Sequence, residues 1–340
     1  MFHIGKTKNI WVLTDDRIGT SSQSTGLADN LTKLGNYNII TKNIKYNSFV
    51  KLPNCIRRSS LIGVKIGESD LLNPLNKNEK QPDIIICAGR RLAPVALYIK
   101  KRLESKVSII HITNPHLSFR KFDFVIIPKH DGFKDAKNII TTYGAINKIN
   151  KETIEEESKK WKKELSKYAN PKIAIILGGN TKSTKFLPES FEKLGKVVSD
   201  IAQYMGGSLL ITTSRRTDPE CISALERSVK VENYFYNWVE ESKKSHTDNP
   251  YFAYIGLADY VVATGDSMSM LSEICSTGKP LYIYYGKNEI PSKHLRFCKS
   301  LINSGYAKKL ELNSNIKLTK YKYKPLNEVE RVAKLIHKSL

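Results

Sequence analysis

The sequence predicts an α/β protein built as two doubly wound domains. Three observations point there. Short, continuous apolar runs rich in β-branched residues recur along the chain, helical apolar patterns fill most gaps between them, and the alternation stops and restarts around a charged stretch at residues 151–168. Continuous apolar strands, as opposed to alternating ones, belong to parallel sheets covered on both faces. A length of 340 residues holds two domains of ordinary size.

Taken in order, residues 10–14 (IWVLT) read as a strand ending in a polar turn over 15–22, and residues 23–34 place Leu27, Leu31 and Leu34 on one helical face. Further strands are predicted at 39–44, 84–88, 107–112 and 124–127. The strand at 84–88 is followed by Gly89, Arg90 and Arg91 and by a helix through Val95, Leu97 and Ile99. Residues 47–81, with scattered Pro, Gly, Asn and Lys, read as loops with one short helix. Residues 151–168 set glutamates and lysines around Ile154, Trp161 and Leu165, the pattern of a solvated connecting helix. After Pro171 the alternation resumes, with strands at 173–177, 208–212, 234–236, 260–264 and 281–284. Helices are predicted at 188–205, 219–228, 250–258, 268–277, 292–303 and 326–340. The expected layout is a first domain at 1–150, a connector at 151–170, a second domain at 171–322 and a closing helix at 323–340.

Composition narrows the function. Five cysteines without a C-x-x-C pair, several inside apolar runs, fit thiols in a reducing compartment and argue against disulfides or zinc. No stretch approaches the apolar length of a membrane span, and residues 1–9 carry lysines without an apolar core, so a cytoplasmic protein is expected. The formal net charge of +22 would attract phosphodiesters and anionic lipid alike. Codon bias would produce the same spread of lysines. No nucleic-acid-binding motif accompanies the charge, which disfavours specific nucleic-acid recognition and leaves peripheral contact with an anionic membrane open.

The most informative stretch is 260–284, which reads as strand, polar turn, helix, tight turn, strand. Asp266 and Ser267 are N-cap candidates, Ser269 and Ser272 add hydroxyls, and Gly278 ends the helix. A helix start has unpaired amides and a partial positive charge, which suits a phosphate. An ordinary capped helix would also account for these serines. Two other polar clusters follow strands: Gly178, Gly179, Asn180, Thr181, Lys182 and Ser183, and Thr212, Thr213, Ser214, Arg215, Arg216 and Thr217. On one sheet edge the three clusters describe a diphosphate site, with Asp248-Asn249-Pro250-Tyr251 near a nucleobase and Glu273 placed for sugar hydroxyls.

These residues closely resemble the Elm family, called mitochondrial fission proteins after their plant members and widespread in bacteria. The resemblance is carried by IWVLTDDRIG at 10–19, AGRR at 88–91, ILGGN at 176–180, TTSRR at 212–216, DNPY at 248–251 and GDSMSMLSE at 265–273. More distantly, the second half is similar to the donor domain of GT-B glycosyltransferases, such as the enzyme adding N-acetylglucosamine to the lipid-linked peptidoglycan precursor. That likeness implies two Rossmann-like domains facing across a cleft, with Gly178, Gly179 and Ser267 to Ser269 on the diphosphate of a UDP-type donor and Glu273 on ribose hydroxyls. The donor sugar is then a substrate, and neither a further cofactor nor a metal is expected. Where that enzyme has a glycine-rich N-terminal loop, Asp15, Asp16 and Arg17 stand here, without a histidine.

Inverting sugar transfer needs a base at the acceptor hydroxyl and electrostatic help for the leaving diphosphate. Asp15, Asp16 and His130 are the base candidates, His130 being expected in an exposed loop and one of the aspartates as a cap. His111, inside an apolar run, is expected in the core. Arg90, Arg91, Arg215 and Arg216 are expected to stabilise the diphosphate. The sequence reading is a nucleotide-sugar-binding protein, expected to be a glycosyltransferase acting on a cell-envelope or lipid-linked acceptor at the cytoplasmic membrane face. The rival is a non-catalytic adaptor with a protein partner, as the plant members imply. An epimerase is disfavoured because the first strand lacks a G-x-G-x-x-G turn and no Y-x-x-x-K pair follows a Ser-bearing strand.

Overall fold

The structure, a computed structural model, describes residues 7–65, 67, 80–104, 106–147, 149, 151–244, 248–312 and 317–340. Part of the 47–81 reading and part of the 1–9 reading therefore lie outside the described residues. The chain forms two compact units, residues 1–148 with 327–340, and residues 149–326.

The first unit runs β1 (Lys8–Thr14), α1 (Ile18–Thr32), β2 (Tyr37–Asn43), α2 (Asn54–Arg57), β3 (Ile84–Ala88), α3 (Ala93–Arg102), β4 (Ser108–Ile112), β5 (Phe124–Pro128) and β6 (Ile139–Thr142). All pairings are parallel, in the order β2-β1-β3-β4-β5-β6. Because side chains alternate along a strand, each strand feeds two cores. Trp11, Leu13, Ile85, Cys87 and Ile109 pack under α3. Ile10, Val12, Ile84, Ile86 and Ile110 pack under Leu27 and Leu31 of α1.

The second unit runs α4 (Lys151–Leu165), β7 (Lys172–Ile176), α5 (Pro188–Met205), β8 (Ser208–Thr212), α6 (Pro219–Ser228), β9 (Asn233–Tyr236), α7 (Trp238–Glu241), α8 (Tyr251–Leu257), β10 (Tyr260–Thr264), α9 (Met268–Cys275), β11 (Leu281–Tyr284), α10 (Ser292–Asn303) and β12 (Ala307–Lys309). Its parallel sheet has the order β12-β11-β10-β7-β8-β9. The charged helix α4 packs on α8 and so counts with this unit. The last helix, α11 (Glu328–His337), returns to the first unit, where Val329, Val332, Ala333 and Ile336 join the core under α1.

Several elements differ from the sequence reading. Helix α1 begins at Ile18, inside the expected turn. Its hydroxyls bond backward to the chain, Thr20 to the Arg17 carbonyl, Ser24 to that of Thr20 and Thr25 to that of Ser21, so residues that read as loop are satisfied within a helix. Strands β6 and β12 were not predicted. Both are short sheet edges, and β12 (AKK) carries two exposed lysines, a composition that blunts edge pairing and hides the strand from an apolar pattern. The four-residue α7 is too short to show a helical period. Among the described residues, no helix is long and apolar enough to cross a membrane.

Candidate functional site

In the second sheet β10, β7 and β8 are parallel neighbours, so the loops that follow them share one edge. Counted from β7 as first, the strand order is 3-2-1-4-5-6, reversing between β7 and β10. Open α/β sheets bind ligands at such a reversal, beyond the strands' carboxyl ends.

Asp266 organises this edge. Its side chain is fully buried. One carboxylate oxygen accepts from the Gly179 amide at 2.8 Å and from an Arg216 terminal nitrogen at 3.0 Å; the other accepts from the Thr264 hydroxyl at 2.7 Å. The Thr264 oxygen in turn accepts from the Gly178 amide. Arg216 also donates to the Gly179 and Asn180 carbonyls. A Cβ at Gly178 would strike the Asp266 carboxylate, and one at Gly179 would strike the Arg216 carbonyl. Both glycines are therefore required by close approach of neighbouring loops. This corrects the expectation that their amides face an anion, because internal acceptors occupy both. Asn180 is engaged similarly, donating to Asp218 and accepting from the Phe186 amide, and Ser214 accepts from the Arg216 amide.

Beside this frame lie groups turned to solvent. Arg215 is exposed and forms no hydrogen bond or ion pair among the described residues, and Ser269 is exposed in the first turn of α9. Ser267 caps α9 by accepting from the Met270 amide. Asn249 accepts from the Tyr251 amide and so sets the start of α8. The Tyr251 hydroxyl donates to Glu273 at 2.7 Å, joining two side chains expected at the nucleoside end of the site. Burial pushes the Glu273 carboxyl up to about 7, against the opposing hydrogen bond from Tyr251. A folded-state value raised above the ordinary 4.5 contributes stability that is present below pH 4.5 and lost as pH rises through about 7. Urea unfolding across that window should show the wild type losing stability relative to Glu273→Gln. Parallel curves would contradict the burial.

Two contributors, Thr264 and His294, escaped the sequence reading, and a third, Thr217, closes the polar cluster at 212–217. Thr264 links Gly178 to Asp266, Thr217 donates to the Gly178 carbonyl, and His294 of α10 lies near Asp266 and Arg216, with burial lowering its pKa. For Thr264 the only sequence signal was its place at the end of a strand.

In the first unit, Asp15 is buried and accepts from the Arg17 amide and the Thr20 hydroxyl; burial, foremost, raises its pKa. These bonds close a turn ahead of α1, whose own N-cap, Arg17, has no side-chain cap bond, and Asp15 also lies 3.8 Å from Arg91. The Asp16 side chain is 76% exposed and paired to Arg91 at 2.7 Å. Arg90 is spent on the Leu52 and Val50 carbonyls, a correction to its expected role on a diphosphate. His111 is fully buried between the Thr113 and Gly89 carbonyls, with its pKa lowered to about 4 by burial. The His130 side chain is only 3% exposed and sits 3.8 Å from Asp131, which corrects the expectation of an exposed base.

Comparison with known proteins agrees with this architecture. The model of the family described as Mitochondrial fission ELM1 matches residues 18–340. The chain is 32% identical over 362 residues to the uncharacterized protein RP120 of Rickettsia prowazekii, covering 96% of this chain and 97% of the relative. It is 24% identical over 281 residues to the mitochondrial fission protein ELM1 of Arabidopsis thaliana, covering 76% of this chain and 64% of that protein. Among solved structures, the UDP-GlcNAc 2-epimerase of Methanocaldococcus jannaschii matches with a TM-score of 0.57 at 12% identity, over 97% of this chain and 99% of that one. Arabidopsis thaliana UGT89C1, solved with quercetin, matches with a TM-score of 0.50 at 9% identity, over 98% and 89%. These likenesses show a GT-B-like fold.

Proposed function

The chain belongs to the mitochondrial fission ELM1 family, and from that premise we propose that its second domain binds a nucleotide sugar, probed first as a UDP sugar, for transfer to an acceptor at a membrane face. The observation that carries this reading is the Tyr251–Glu273 pair beside the serine-rich start of α9, at the sheet's reversal point. In this reading Glu273 holds ribose hydroxyls, the α9 amides and Ser269 receive the diphosphate, and Arg215 supplies a forked donor to its oxygens. The fold's likeness to proteins named for UDP-GlcNAc is consistent with this assignment. Transfer would form a bond from the acceptor oxygen to the anomeric carbon, break the bond to the diphosphate, and pass the acceptor proton to a base. Of the three base candidates, Asp16 alone has a largely exposed side chain.

Calorimetric titration with UDP and UDP-N-acetylglucosamine tests the binding. Glu273→Ala and Arg215→Ala should each weaken it by about tenfold or more, the value of a hydrogen bond to a charged group. Absence of binding at millimolar ligand would remove the reading. The family description favours a second one, an adaptor that recruits protein partners without catalysis. A stoichiometric partner that stays bound to Glu273→Ala and Arg215→Ala, in a protein that takes no nucleotide, would establish it.

A further inference from the structure

The first sheet has its own reversal point. With the order β2-β1-β3-β4-β5-β6, the chain turns back between β1 and β3. A cavity of about 420 Å³ opens there, lined from the loops after β1 (Asp16), β2 (Lys45, Tyr46, Asn47) and β3 (Arg91), with Lys65 closing one side. The volume lies within the roughly 300–1,000 Å³ of small-molecule sites.

Its walls are fixed by the backbone. Tyr46 and Val64 form an antiparallel bridge, the Lys65 amide donates to the Lys45 carbonyl at 3.0 Å, and the Asn47 amide donates to the Gly63 carbonyl at 2.9 Å. Gly63 has φ +89°, and a Cβ there would press on Val50, so a larger residue would open this wall. Arg90 clamps the Val50 and Leu52 carbonyls from the β3 side. Thus Lys45 and Lys65, twenty residues apart in sequence, are carried on one wall.

Cations outnumber carboxylates in the lining. The lining holds three cations, Lys45, Lys65 and Arg91, against the single carboxylate of Asp16. Behind it, Arg57 is fully buried; its Nε donates to the Ile62 carbonyl, and its guanidinium lies against Tyr46. The guanidinium groups of Arg57 and Arg91 lie 5.7 and 5.9 Å from the Tyr46 ring centre. A buried guanidinium in a low-dielectric wall raises the positive potential of the neighbouring cavity. Asp16 at 2.7 Å and the buried Asp15 at 3.8 Å both face Arg91, while Lys45, Lys65 and the buried Arg57 keep the formal charge of this corner positive, which suits an anion such as a phosphate group.

We propose that this pocket is a binding site for a phosphate-bearing small molecule, held by Lys45, Lys65 and Arg91. The site lies wholly in the first domain and does not rest on nucleotide binding by the second.

Titration of the full chain with inorganic pyrophosphate is the test. Saturable binding is expected that Lys65→Glu weakens by about tenfold or more, while Arg215→Ala leaves that component intact. Lys65 is exposed and pairs through its backbone, so the variant should fold; Lys65→Ala is the milder companion if it does not. Acetate should fail to compete at equal concentration. Pyrophosphate binding unchanged by either Lys65 variant, no binding at millimolar ligand, or equal competition by acetate overturns the proposal. Lys65→Glu should also bind UDP as the wild type does, so failure here and failure of the nucleotide reading are separate results.

Discussion

Asp266→Ala should lower folding stability by about 3–5 kcal/mol, the cost of removing one partner from a buried, hydrogen-bonded ion pair. The carboxylate is fully buried and is shared by the Gly179 amide, the Thr264 hydroxyl and Arg216. Truncation leaves the amide and hydroxyl without acceptors in a closed interior and removes the anchor of Arg216. Arg216 remains partly in water and recovers some solvation, which keeps the loss toward the lower end of that range. Asp266→Asn keeps the shape but turns an amide toward donors, so it should be damaging despite its small size change. Urea unfolding with an unchanged m-value would report the loss as stability alone. A loss below about 1 kcal/mol, the value of an ordinary hydrogen bond, would mean that these loops are not held through the carboxylate.

The second large effect concerns α11. Val332, Ala333 and Ile336 are completely buried, and Val329 nearly so, in the core under α1. At about 1.5–3 kcal/mol for each large side chain, removing residues 327–340 deletes on the order of 5–9 kcal/mol of burial. The whole stability of a domain is about 5–15 kcal/mol. Polar ties are lost as well, since Arg331 donates to the Thr141 carbonyl and the Tyr143 amide donates to Glu328. The truncated chain should lose amide-exchange protection in β1, β3 and β4 and keep it in β7, β8 and β10. Val332→Asp should have a smaller effect in the same places. Uniform loss across both sheets would contradict the division into two units.

Much of the architecture was legible because a parallel strand buried on both faces has to be apolar throughout, as IIICA and KIAII nearly are. The edge strands β6 and β12 have no such requirement. The amphipathic stripe of α11 announced a helix, but nothing in it names the partner, and its packing against α1 is a fact of the fold. The site was legible as a set of strand ends. Its internal wiring was not: Asp266 reads as a helix cap, whereas its partners Gly179 and Arg216 lie 87 and 50 residues away. His130 reads as exposed because Lys129 and Asp131 flank it, yet the turn directs its ring inward. The basic pocket was invisible because only the Tyr46–Val64 bridge brings Lys45 and Lys65 together.

The return of α11 fixes a timetable for biosynthesis. Residues 1–148 leave the ribosome well before the helix that covers one flank of their sheet, with the whole stretch 149–326 translated in between. At about 5–20 residues per second, the completed stretch 1–148 waits on the order of ten to forty seconds for the helix that covers Leu27 and Leu31. During that interval the nascent first domain offers an apolar groove to chaperones or to neighbouring polysomal chains, while the later domain has all its own parts to hand as soon as it emerges.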